Sequence, residues 1–116
     1  MRKRFNKVEG LQGEFNSCDY LKKKKYKILE QNYKNRIGEI DIIAQYKGCI
    51  VFVEVKSRQT LKFGRPSEAV DKRKQQKIRR VANLYLIQNH LMDNSCRFDV
   101  IEVIAQSEIN HIENAF

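Results

Sequence analysis

The sequence predicts an α/β domain in the order α-β-β-β-α-β, a mixed sheet flanked by helices. Three observations predict it. Gly38 to Ala44 and Cys49 to Lys56 each alternate apolar with other residues, the period of a strand with one packed face. Ser67 to about His90 carries apolar residues at helical spacing. That helix separates the Glu54 strand from a last apolar run, Arg97 to Ala105, so it is a crossover and the two strands it joins are parallel.

Each element has its own local signal. Asn6 to Lys24 reads as a helix, with Val8, Leu11, Phe15, Cys18 and Leu21 in one stripe and four lysines (Lys22 to Lys25) at its end. Tyr26 to Tyr33 reads as the first strand, and Asn35-Arg36 begins the turn into the second. Ile40, Ile42 and Ala44 are expected to share one face of that second strand, with Glu39, Asp41 and Ile43 on the other. Tyr46-Lys47-Gly48 suits a hairpin tip. On the third strand Val51, Val53 and Val55 take one face, and Ile50, Phe52, Glu54 and Lys56 the other. Ser57 to Pro66 is a polar and basic loop. Ser67 is the expected cap of the long helix, whose apolar face holds Val70, Ile78, Val81, Leu84, Tyr85 and Leu91. Met92 to Ser95 is a loop, and the tail from Gln106 to Phe116 fits no single pattern.

A length of 116 residues with 41% hydrophobic content predicts one domain over residues 1–116 with a modest core. Net charge is +9 and the pI about 9.6, a balance that favours polyanions, nucleic acid before anionic membrane. Met1-Arg2-Lys3-Arg4 lacks a following apolar region, so it does not read as a signal peptide, and no run is long enough to span a bilayer. Cys18, Cys49 and Cys96 are scattered, without the spacing of a zinc site or a disulfide framework. A reduced, cytoplasmic location is the expectation, with no membrane partner.

The chemistry concentrates at one end of the predicted hairpin. Folding at Tyr46-Lys47-Gly48 brings Asp41 near Glu54 and Lys56 in a mostly apolar setting. Carboxylate oxygens are what Mg²⁺ prefers, and a lysine beside the metal can help activate water or stabilise charge on a phosphate. The plainer alternative is a cross-strand salt bridge on a solvated face, which accounts for Lys56 but sits awkwardly with Ile43, Ile50 and Phe52 on the same faces. Glu14 falls inside the first helix's apolar stripe, where a carboxylate needs a partner; it is either a member of the same site or an edge residue paired with a lysine. Lys74 and Lys77 point toward the carboxylates from the start of the long helix. Lys72, Arg73, Arg79 and Arg80 cover its other sides and read equally as a solvated face.

These motifs resemble the PD-(D/E)XK nuclease superfamily, whose restriction-endonuclease-like core has this element order, and more closely the YraN-type family of small bacterial proteins. The residues that carry the resemblance are Gly13-Glu14, Tyr20-Leu21, Gly38-Glu39-Ile40-Asp41-Ile42-Ile43-Ala44, Val51-Phe52-Val53-Glu54-Val55-Lys56-Ser57-Arg58, Phe63-Gly64, Pro66 and Arg97-Phe98-Asp99-Val100. The resemblance covers nearly the whole chain; Phe15 to Cys18 depart from it where the family often has alanine. It implies a DNA endonuclease using Mg²⁺ or Mn²⁺, with Asp41, Glu54 and the Val55 carbonyl as metal ligands and Lys56 at the attacking water. A further resemblance, to archaeal Holliday-junction resolvases, implies that Glu14 binds a second metal or an ordered water. By analogy it also implies a homodimer acting on branched DNA.

The expected reading is therefore a nuclease in which Arg58, Lys62, Arg65, Lys72, Lys74 and Lys77 contact phosphates. Glu39 is a weaker site candidate, with a salt bridge to Arg36 or Arg58 as its simpler role. The rivals are a non-catalytic nucleic-acid-binding module on the same fold and a protein-interaction domain. RNA stands beside DNA as a substrate.

Overall fold

A computed structural model of the chain describes residues 16–58, 70–105 and 107–116. Helix α1 is described over residues 16–23. Strands β1 (Lys27–Lys34), β2 (Glu39–Tyr46) and β3 (Cys49–Arg58) follow, then helix α2 (Lys72–Gln88) and strands β4 (Cys96–Ile104) and β5 (Glu108–Ile112). The five strands form one sheet in chain order. β3 and β4 are parallel across the α2 crossover, as the sequence predicts, and every other neighbouring pair is antiparallel.

The β2–β3 hairpin closes on two residues, Lys47 and Gly48, with φ of 49° and 81°. Positive φ at both central positions gives the backbone twist that matches the flanking strands, and glycine adopts it without steric cost. Helices cover both faces of the sheet. On one face Ile78, Val81, Ala82, Tyr85 and Leu86 of α2 pack on Ile40, Ile43, Ile50, Phe52, Phe98 and Val100. On the other, Cys18 and Leu21 of α1 pack with Tyr26 on Ile42, Ala44, Val51, Val53, Ile101 and Val103. Burying each of these large side chains contributes on the order of 1.5–3 kcal/mol, so the sheet is the centre of stability.

Both helices end on the same device. Lys25 (φ 73°) and His90 (φ 57°) are left-handed. Around them Tyr26 N–H donates to the Leu21 carbonyl and Lys25 N–H to that of Lys22, while Leu91 N–H donates to Leu86 and His90 N–H to Ile87. This paired bonding satisfies carbonyls that a helix end leaves open.

Several expectations are corrected. Helix α2 is capped by Asp71, whose carboxylate accepts from the Lys74 N–H, and not by Ser67, which lies outside the described residues. Val70 still reaches the core, but from just before the cap and outside the helix. Ala82 and Leu86 are core residues, and Leu84 is only half-buried. The alternation predicted for β2 breaks at Asp41: Ile40 packs with Ile43 under α2, while Ile42 and Ala44 face α1. The tail supplies a strand, β5, that extends the predicted order by one. Cys18 is buried, Cys49 half-buried and Cys96 exposed, and all three cysteines are free. Among the described residues no helix is long and apolar enough to cross a membrane.

Candidate active site

The break at Asp41 opens the sheet where the chemistry lies. Backbone pairing of β2 with β3 runs from Tyr46–Cys49 to Ile42–Val53 and stops there. One residue further on, the Asp41 carboxylate takes over, its Oδ2 accepting from the Val55 N–H at 2.8 Å. The strands diverge beyond that point. The gap is a cleft of about 470 Å³, walled by Asp41 and Glu54, by Glu39, by Lys74 and Lys77 of α2, and by the β1–β2 turn.

That turn is fastened to the helix. The Asn35 side chain accepts from the Ile37 and Gly38 N–H groups and donates to the Val81 carbonyl and the Tyr33 hydroxyl. Gly38 permits the close approach, since a Cβ there would meet Lys77 Cε at 3.0 Å and Val81 Cγ2 at 3.2 Å. Turn and helix therefore hold a fixed separation, and with it the mouth of the cleft.

Glu54 is the buried carboxylate of the cleft, its side chain 9% exposed. Lys74 Nζ lies 2.8 Å from its Oε2 and Lys56 Nζ 3.9 Å from the same oxygen. The pKa values of the two lysines move in opposite directions. Burial lowers the pKa of Lys56 below the ordinary lysine value, and a hydrogen bond and like charge from Lys74 lower it further; Glu54 and Asp41 offset this only in part. Burial pulls Lys74 down too, but its hydrogen bonds to Glu54 and Lys56 outweigh that, and it ends above the ordinary value. Of the pair, Lys74 holds its proton the more tightly and Lys56 the less.

Asp41, Glu54, Lys56 and Lys74 come together, with Lys77 on the cleft wall. Lys72 is exposed on the outside of α2 and lines no part of the cleft. Glu39 is exposed at the cleft. Glu14, Lys62, Arg65 and the Arg58 side chain lie outside the described residues. Sequence reasoning missed Asn35 and Lys34 as wall residues; the turn at Asn35-Arg36 was the available signal. It also passed over Glu102, which is fully buried, aligned with Lys56 across the β3–β4 register, and bonded by Asn110 Nδ2 at 2.6 Å.

The donor set suits a hard cation. Asp41 and Glu54 offer carboxylate oxygens on one wall, and Glu54 already attracts two ammonium groups. Among the described residues no group of three His, Cys, Asp or Glu forms a closed metal cage. Mg²⁺ needs none, since it is commonly held by one or two carboxylates with water and substrate phosphate completing its shell.

A family model described as "Uncharacterised protein family UPF0102" matches residues 13–103. A UPF0102 protein of Caldanaerobacter subterraneus is 51% identical across the full length of both chains. One of Clostridioides difficile is 53% identical, over 96% of this chain and 98% of its own. One of Alkaliphilus oremlandii is 52% identical, over 96% and 99%. The chain belongs to this family, which is the YraN-type family its motifs resemble.

Proposed function

We propose that this member of UPF0102 is a metal-dependent nuclease of the PD-(D/E)XK kind that hydrolyses phosphodiesters in DNA. The observation that carries the reading is the convergence of Asp41, Glu54 and Lys74 on one cleft, with Lys56 beside Glu54, at the point where β2 and β3 part. Asp41, Glu54 and the Val55 carbonyl would hold Mg²⁺ or Mn²⁺, with Glu14 as a further ligand. When bound, the metal supplies a Lewis acid for the phosphate and lowers the pKa of water.

The chain's own residues have separable tasks. Lys56, with its depressed pKa, orients the attacking water and accepts a proton from it. Lys74 pairs with the buried Glu54 carboxylate and presents positive charge to the phosphate as negative charge develops. The hydrogen bond from Val55 N–H fixes the Asp41 carboxylate, so little reorganisation is needed on binding. The basic balance of the chain favours a polyanionic substrate. Branched DNA and a homodimer belong to the same reading by analogy.

The test is cleavage of labelled duplex, single-stranded and four-way-junction DNA in Mg²⁺ or Mn²⁺, beside EDTA and Lys56→Ala controls. Cleavage is expected with metal and should fall by roughly 10²–10⁴-fold in the variant. A second reading, a non-catalytic binding module, draws support from a specific observation: Asp41 and Glu54 both engage protein partners, Val55 N–H and Lys74. Binding without cutting on every substrate would favour it.

A further inference from the structure

Helix α2 carries six cations among its first nine residues, Lys72 to Arg80, and no acidic residue anywhere along its length. Those charges sit toward the positive end of the helix dipole, and pairs three or four apart repel one another. Helix stability does not explain that placement. Two of the cations have local work: Lys74 pairs with Glu54, and Arg79 lies over the rings of Phe98 and Phe116 at 4.8 and 5.5 Å. Arg73, Lys77 and Arg80 are exposed at positions i, i+4 and i+7, so they form one row along the outer flank. They border a second hollow, of about 680 Å³, with Gln76 and Arg79. Lys77 borders both this hollow and the cleft.

We infer that Arg73, Lys77 and Arg80 form a track for a nucleic-acid phosphate backbone, leading over Lys77 into the cleft. The row advances about 6 Å and then about 4.5 Å along the helix axis, so successive phosphates of one strand can meet successive cations. Guanidinium groups at both ends suit bidentate phosphate contacts. Continuity through Lys77 selects nucleic acid over a lipid surface, because the strand leaving the track meets the carboxylate and lysine cluster. The track rests on the nuclease reading for its direction, but its binding is separable from cleavage. It carries no base readout, so it holds substrate irrespective of sequence.

The experiment is fluorescence anisotropy of the full chain with a labelled 20-base-pair duplex in EDTA, across a salt series, for wild type, Arg73→Gln/Arg80→Gln and Lys47→Gln. Vesicles containing anionic lipid form a parallel arm. Removing two phosphate contacts should weaken binding at least tenfold and reduce the slope of log affinity against log salt by about 2. Lys47→Gln, at the hairpin tip, should leave the slope unchanged. An unaltered slope in the double variant overturns the track, as does wild-type binding to vesicles but not to duplex, or no duplex binding at low salt. Cleavage that persists without track binding sinks only the track; track binding without metal-dependent cleavage sinks only the nuclease reading.

Discussion

Glu54 and Asp99 are buried carboxylates on neighbouring parallel strands, and they meet opposite surroundings. Asp99 is fully buried and closed on every side. Arg97 Nε donates to it at 3.0 Å, Asn114 N–H at 3.0 Å and His111 Nε2 at 2.6 Å. Arg97 also donates to the Tyr26 hydroxyl, and His111 Nδ1 shares a 3.1 Å hydrogen bond with Tyr20. The cluster ties α1, the residue leading into β1, β4 and β5 together beneath the surface. Glu54 instead opens on a cleft, and the two lysines beside it compete for one oxygen. A saturated cluster holds the fold in one arrangement. A cluster with surplus cation and a path to solvent is equipped to exchange partners with a substrate.

Stability should divide the two regions most sharply. Asp99→Ala leaves Arg97 and His111 without their central anion and should cost about 3–5 kcal/mol in urea unfolding. Glu54→Gln should cost under about 1 kcal/mol, because its partner Lys74 is 40% exposed and rehydrates. Equal losses would erase the distinction. Acid should act through the same carboxylate. Burial alone would raise the Asp99 pKa, but the hydrogen bonds from His111, Arg97 and Asn114 overcome it and lower it. The unfolded chain then binds this proton first as pH falls. The Asp99 contribution is full above its unfolded pKa, near 4, and is lost as pH drops through the lower folded value. Urea midpoints from pH 7 to 2 should show that limb in wild type, and Asp99→Ala should flatten it.

Smaller changes sharpen the comparison at the cleft mouth. Gly38→Ala should push Lys77 and Val81 outward and cost about 1–3 kcal/mol, with weaker DNA binding at constant salt. Wild-type stability and binding in that variant would show that the turn is not held as close to α2 as the structure has it. At the far end of the helix, His90→Gly should stabilise by about 1 kcal/mol, since glycine adopts the left-handed cap freely. A calorimetric scan reads that change, and DNA binding should be unaltered because His90 touches neither the cleft nor the basic row.

The legibility of the fold follows the same division. The β2–β3 hairpin and the α2 crossover were readable because Val51, Phe52 and Val53, and later Ile78, Val81 and Tyr85, obey a simple apolar period. The strand β5 was not, because Asn110 and His111 are polar residues placed inward. Their partners, Glu102 and Asp99, are buried acids within an otherwise apolar strand, so each half of the pattern makes sense only beside the other. The site was legible as residue types: Asp41, Glu54 and Lys56 stand out on strand positions. Its shape was not. The reversal of faces around Asp41 follows from where β2 and β3 stop pairing, and the role of Asn35 depends on a carbonyl in α2 far along the chain.

The placement of β5 has a consequence for biosynthesis. A ribosome delivers Asp99 before His111 and Glu102 before Asn110. Until β5 pairs, β4 has its parallel neighbour and the Arg97 donor to Asp99, but not the donors that His111, Asn114 and Asn110 bring. The sheet therefore keeps an open edge at β4 until β5 is made and pairs, and full closure around Asp99 and Glu102 waits for that pairing.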